Sequence, residues 1–182
     1  FDPNQYGKAE SAGGYNNSAI YTSYEPGSVF KPITMAAALN EGVVTADSGF
    51  TDSGSRSGLC SKPIKNASEK VYGYQRMSEI LENSVNTGVV YLAEKLSKKK
   101  FIEYVQNFGF GIKSGIELDS EVSGNIDTLF ENKSEKVDCY TATASFGQGI
   151  TATPLQLVSA FATIANGGKL VTPHVVKSIK DH

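Results

Sequence analysis

The chain has 182 residues and a net charge of −2, with 40% hydrophobic and 20% charged residues. A chain of this length buries about 70% of its unfolded surface, enough for the core of one domain or little more, and the balance is that of a globular chain and not a disordered one. The near-neutral charge argues against a nucleic-acid or polybasic membrane surface as the main partner, and no stretch approaches the ~20 apolar residues of a membrane span.

The chain opens on Phe1-Asp2-Pro3-Asn4, with no Met, charged n-region or apolar h-region. No signal peptide is visible. Together with the abrupt end at Lys180-Asp181-His182, this reads as a piece of a longer protein, with any membrane anchor outside it. Residues 1–24, polar and rich in Gly, Asn, Ser and Tyr, read as loop. After the Pro26-Gly27 turn signal, Ser28 to Asn40 reads as a helix carrying Val29, Ile33, Met35 and Leu39, and Gly42 sits where it should stop. Residues 45–74 read as a long surface excursion with short strands at most. Ser78 is placed to cap a short helix through Glu82, and Thr87 to Leu96 carries Val89, Val90, Leu92, Ala93 and Leu96 at helical spacing. Lys100 to Phe108 forms a third helix closed by Gly109, and residues 109–139 read as loops with brief strands. Thr153-Pro154-Leu155-Gln156 is the clearest helix start: Thr caps, Pro fits the first turn and Gln reaches back. That helix ends at Asn166-Gly167-Gly168, and Leu170 to Ile179 reads as a strand. The expected content is mainly helical, with little sheet.

Cys60 and Cys139, the only cysteines, make no metal-like spacing; one disulfide or two free thiols are both open, with free thiols the favoured reading. His174 and His182 read as surface or terminal residues, and the lysines at 95 and 98–100 as a solvated face. Glu25 reads as a turn cap or a residue facing the cleft, with capping favoured, and Gln148, between two glycines, as either a groove residue or a backbone-shaping one. No metal set, phosphate loop or dinucleotide fingerprint occurs, so no cofactor is implied.

Chemistry is suggested first by Ser28-Val29-Phe30-Lys31. Serine at i and lysine at i+3 share a helix face, so an amine reaches a hydroxyl. A serine needs a base to become a nucleophile, and a lysine serves if burial lowers its pKa. Free N–H groups at the helix start suit a developing oxyanion. Ser97-Lys98-Lys99-Lys100 has the same spacing but no preceding turn, and reads as a solvated helix edge. The second element is Ser84-Val85-Asn86, between two helices, where a short loop can point a hydroxyl and an amide into a cleft; taken alone, the favoured reading is ordinary cap and turn residues. Ser123-Gly124-Asn125 has the same letters and reads as a turn.

Taken together, S-x-x-K and S-x-N belong to the serine acyltransferase set of penicillin-binding proteins and serine β-lactamases. Tyr24 to Pro32, with Ser28 and Lys31, resembles the active-site segment of the transpeptidase domain of class B penicillin-binding proteins, and Ser84-Val85-Asn86 resembles that family's second motif. Phe108-Gly109-Phe110-Gly111, Gly115 to Leu118, Glu121 to Gly124, Phe146 to Ile150, Thr153 to Gln156 and Ala165 to Gly168 resemble its later segments, in order along nearly the whole chain. The third motif, K-S/T-G, is not found in its place: Lys113-Ser114-Gly115 has the letters but falls in a loop before Glu121, and Lys169-Leu170-Val171 does not match.

The resemblance implies an α+β transpeptidase fold, of which residues 1–182 form a partial domain, mostly its helical part with an incomplete antiparallel sheet. It implies peptidoglycan D,D-transpeptidation: Ser28 as nucleophile, Lys31 as its base, Ser84 relaying a proton to the leaving amine, and Asn86 orienting the substrate amide. The expected partners are peptidoglycan stem peptides, β-lactams, cell-wall synthesis machinery, and a polypeptide supplying missing strands. The expected location is the extracytoplasmic face of the bacterial membrane. Two alternatives stand beside it. A serine β-lactamase would need a deacylating Glu over the site, and none is placed here. The other is a catalytically incomplete binding module of the same fold.

Overall fold

The computed structural model describes residues 3–8 and 12–180. Its described helices and strands are α1 (Ser18–Tyr21), α2 (Lys31–Asn40), β1 (Gly49–Asp52), β2 (Ser55–Arg56), β3 (Ile64–Lys65), β4 (Gly73–Arg76), α3 (Met77–Glu82), α4 (Asn86–Leu96), α5 (Lys98–Asn107), α6 (Thr128–Glu131), α7 (Cys139–Ala144) and α8 (Pro154–Ala165). Where residues 1–24 were expected to be loop, the described ones hold 3₁₀ turns at Pro3–Lys8 and Ala12–Tyr15, and then α1, capped by the Asn17 side chain. His182 lies outside the described residues, and His174 is exposed.

Helix α4 is the hub. Val89, Val90, Leu92 and Ala93 are fully buried, so it is apolar nearly all round, as a central helix must be. It packs against α2, α5, α7 and the β1 and β3 strands. The fit is tightest at Gly88, where a Cβ would lie 2.8 Å from the Ile80 side chain of α3. Phe30 at the head of α2 packs at a tilt against Phe110, with ring centroids 5.0 Å apart, and joins the 108–112 loop to the same core.

The expected capping box of α8 is present: Gln156 N–H donates to Thr153 Oγ1 at 3.2 Å and Thr153 N–H to Gln156 Oε1 at 2.9 Å. Buried Gln156 also donates through Nε2 to the carbonyls of Ile112 and Ser123, stapling the loops on either side of Glu121 to this helix. Helix α3 begins at Met77, one residue before the expected Ser78 cap, because Glu79 reaches back to the Arg76 N–H.

Among the described residues the paired strands are antiparallel and lie in the 49–76 excursion: β1 with β4, in register Gly49↔Arg76 to Asp52↔Gly73, and β2 with β3. In the 109–139 stretch the described residues form α6 and one isolated bridge, Asn125↔Thr151, in place of brief strands. The expected strand Leu170–Ile179 does not form. Its alternating apolar pattern suits a sheet, but a strand needs a neighbour for its backbone groups, and none lies beside it among the described residues. It runs as exposed coil, Val175 at 56% and Ile179 at 88%, with the Val175 N–H donating to Glu117.

Two expectations about side chains are corrected. Lys98 is not part of a solvated face; it is 5% exposed, with Nζ 2.7 Å from Asp138 Oδ2 and 2.6 Å from the Asn132 carbonyl. Burial alone would raise the Asp138 pKa, but the Lys98 ammonium and the Thr141 N–H and hydroxyl outweigh it and hold it below the usual carboxylate value. Cys60 and Cys139 are not free thiols. The fold lays the 57–63 stretch against the start of α7, bringing their Cα atoms to 4.7 Å, and they form a disulfide.

Candidate active site

The segment before Ser28 is pinned on three sides by residues 147–152. Tyr24 and Ala152 exchange two backbone hydrogen bonds, of 3.1 and 3.0 Å. Gly27 N–H donates to the Gly147 carbonyl at 2.9 Å, and Gly149 N–H to Glu25 Oε1 at 2.8 Å. Glu25 therefore bridges two loops and does not cap its own turn, while Gln148 is exposed at the tip between them. Residues Gly27–Phe30 form a 3₁₀ turn, not the first turn of one long α-helix, and α2 follows from Lys31. Pro32 explains the split: it lacks an N–H and is accepted only in the first turn of α2. The turn exposes Ser28 and Val29, buries Phe30, and sends Lys31 inward.

Lys31 is 2% exposed. Its Nζ donates to Ser84 Oγ at 2.8 Å and to the Ser84 carbonyl at 2.5 Å. Burial pushes its pKa from 10.5 down to about 8. Thr34, one turn on, donates to the buried Ser145 carbonyl at 2.8 Å, which locks α2 against rotation. Ser84 has φ 53°, the left-handed conformation that closes α3: Val85 N–H returns to the Ile80 carbonyl and Ser84 N–H to Leu81. Asn86 opens α4, and its Nδ2 donates to the Lys65 carbonyl at 2.9 Å.

The structure thus joins Lys31 directly to Ser84. Ser28 lies on the same segment as Lys31, one turn earlier, and its hydroxyl makes no hydrogen bond among the described residues. Asn86 stands two residues past Ser84, its amide aimed by the 64–65 strand. The look-alike motifs serve elsewhere. Ser97 caps α5, Ser123 donates to the adjacent Gly124 carbonyl in a turn, and Ser114 hydrogen-bonds buried Glu121.

Sequence reasoning passed over two features of this site. One is the buried Asp52–Asn66–Thr87 cluster behind Asn86, whose members lie 14 and 35 residues from Asp52 and carry no local signature beyond an Asx turn. Burial would raise the Asp52 pKa, but hydrogen bonds from Thr87, Tyr72, Gly54 and Asn66 hold it below the usual range. The other is Gly147, at φ 78°, where a Cβ would lie 2.2 Å from the Gly27 carbonyl oxygen. Gly147→Ala is expected to lower stability by about 2–4 kcal/mol, combining left-handed strain with a clash against backbone. Urea unfolding and faster exchange of the Gly27 amide would show it; an unchanged midpoint would rule it out.

No helix of the described residues is long and apolar enough to cross a membrane. The sequence matches the family described as the penicillin binding protein transpeptidase domain over residues 1–182. It is 38% identical over 179 residues to stage V sporulation protein D of Bacillus subtilis (strain 168), covering 97% of this chain and 27% of that protein. It is 33% identical over 152 residues to peptidoglycan D,D-transpeptidase FtsI of Escherichia coli (strain K12), covering 84% and 24%. Among solved structures, the transpeptidase domain of Burkholderia pseudomallei penicillin-binding protein 3 superposes with a TM-score of 0.80 at 22% identity, over 90% of this chain and 48% of that one. The chain therefore spans about a quarter of the length of those curated relatives and about half of that solved domain. By its sequence match and its α+β fold, the chain belongs to the penicillin-binding-protein transpeptidase family.

Proposed function

We propose that this chain is the catalytic-serine part of a peptidoglycan D,D-transpeptidase. The observation that carries this reading is the pair of hydrogen bonds from buried Lys31 to Ser84, one turn behind exposed Ser28. Neutral Lys31 takes the Ser28 Oγ proton as Oγ attacks the carbonyl of a stem-peptide D-Ala–D-Ala bond. The C–N bond breaks, Ser84 relays the proton held by Lys31 to the leaving D-Ala nitrogen, and the acyl group then moves from Ser28 to an amine of a neighbouring stem peptide, whose released proton returns to the Ser28 oxygen by the same route. Asn86, with Nδ2 held by Lys65, offers its carbonyl oxygen to the substrate amide. β-Lactams acylate the same serine.

The reading also places the working site in a longer assembly on the extracytoplasmic side. The disulfide supports an oxidising compartment. An open apolar groove of about 640 Å³ beside Val29, lined by Leu157, Val158 and Phe161 of α8, supports further strands of the same enzyme packing there, with Leu170–Ile179 paired among them. Those strands would carry the third motif and an oxyanion donor, whose loss costs roughly 10²–10³ in rate. The isolated 182-residue chain is therefore expected to be a poor catalyst.

Intact-mass measurement after incubation with a penicillin tests the reading, on the full-length protein and on the isolated chain. A stable adduct absent from Ser28→Ala is expected for the full-length protein. An adduct that survives Ser28→Ala, or none on the folded full-length protein, overturns the reading. Rapid release of the adduct with turnover of a chromogenic cephalosporin would assign the protein to the β-lactamases.

A further inference from the structure

The start of α4 lacks a cap of its own. Val85 occupies the capping position and has no side-chain acceptor. The N–H of Thr87 is instead accepted by Asn66 Oδ1 at 3.2 Å, from a residue 21 positions earlier. Asn86 is held by the neighbouring carbonyl, Lys65. The side-chain ties on the first residues of α4 thus run to the 65–66 segment or to Asp52. Asp52, 2% exposed on β1, gathers that segment. Its Oδ1 accepts from the Thr87 hydroxyl at 2.6 Å and the Gly54 N–H at 2.9 Å; its Oδ2 accepts from Asn66 Nδ2 and the Tyr72 N–H, each at 2.8 Å. All four partners are donors. An ionised carboxylate satisfies them all, whereas an amide would turn its NH₂ on two of them. The negative charge also lies against the positive end of α4.

We propose that Asp52 is the positioning residue of the Ser84–Asn86 loop, acting through Thr87 and Asn66 on the first turn of α4. Ser84 sits in a left-handed kink just before that turn, with Lys31 hydrogen-bonded to it. A shift of the turn therefore moves the proton relay and the Asn86 amide together, while Ser28 and its 3₁₀ turn stay pinned by residues 147–152. Asp52 touches no reacting atom; its effect is on the geometry of groups that do. The inference rests on the transpeptidase reading above.

The test uses the full-length protein, with Thr87→Val, Thr87→Ser and Asp52→Asn, and follows penicillin acylation resolved into initial affinity and acylation rate constant. Thr87→Val and Asp52→Asn are expected to slow acylation by about tenfold or more while changing initial affinity less than about threefold. Thr87→Ser, which keeps the hydroxyl, is expected to recover most of the loss. Amide exchange across residues 83–88 should quicken in Thr87→Val and not elsewhere. Phe101→Leu in the α5 core serves as the control for general destabilisation. Equal slowing by Phe101→Leu at a similar loss of Tm, or unchanged acylation and exchange in Thr87→Val, overturns the proposal. Absence of any Ser28 adduct on the wild-type protein overturns the transpeptidase reading instead, and the exchange measurement still decides whether Asp52 and Thr87 hold the loop.

Discussion

Replacing Lys31 by methionine is expected to slow acylation of Ser28 by about 10²–10⁴-fold, the usual contribution of a positioned general base. Methionine keeps much of the apolar stem in the core and removes only the amine. The size of the loss follows from what burial does to this lysine. With a pKa of about 8, about a tenth of the side chain is neutral at pH 7; at the ordinary 10.5 it would be about one part in 3,000. If Lys31 is the base, acylation should therefore rise with pH and level off above about 8, since only a neutral amine can accept the Ser28 proton. Stability moves in the same direction for a different reason. The folded pKa lies below the unfolded one, so between about 8 and 10.5 the unfolded chain holds a proton the folded chain has lost, and stability rises with pH across that window. Lys31→Met should flatten both profiles. Acylation that is flat from roughly pH 6 to 9, or Lys31→Met within about threefold of wild type, would remove Lys31 from the role of base.

The features visible in the sequence are those whose cause is local. Thr153 and Gln156 satisfy each other across one helical turn, so the start of α8 can be read from four residues. Val89, Val90 and Leu92 announce a buried helix by spacing alone. Ser28 and Lys31 lie one turn apart, and Ser84-Val85-Asn86 forms a second short block. Their pairing is spatial, over 53 positions, and became legible only because the two blocks occur in the order of a known family. What the sequence hid depends on distant partners. Lys98 looks solvated inside its lysine run until Asp138, 40 positions later, supplies the counter-charge that lets it be buried. Asp52 goes unmarked within the 45–74 surface excursion, because Asn66 and Thr87 converge on it only in the fold. Leu170–Ile179 has the pattern of a strand but no partner, and pattern alone cannot supply the hydrogen bonds.

Reducing the Cys60–Cys139 disulfide, or replacing both cysteines by serine, is expected to lower stability by about 4 kcal/mol. The figure follows from the 79-residue separation, because a cross-link across so long a loop removes much of the freedom of the unfolded chain. For a protein of this size the loss corresponds to a fall in Tm of about 10 °C. The bond joins the stretch between β2 and β3 to the first residue of α7, next to Asp138, which caps that helix through Thr141 and pairs with Lys98. The residue just past the other end of α7 supplies the Ser145 carbonyl that fixes Thr34 in α2. Unfolding of α7 would thus reach the serine-bearing segment, but the hydrogen bonds from Lys31 to Ser84 and from Asn86 to Lys65 run through neither cysteine. The oxidised and reduced forms should therefore acylate at rates within about threefold of each other at 25 °C, and diverge on heating as the reduced form unfolds first. Equal Tm with and without reductant would mean that the thiols are not linked in solution. A large drop in acylation at 25 °C, with the fold intact, would mean that the staple shapes the site as well as holding the chain together.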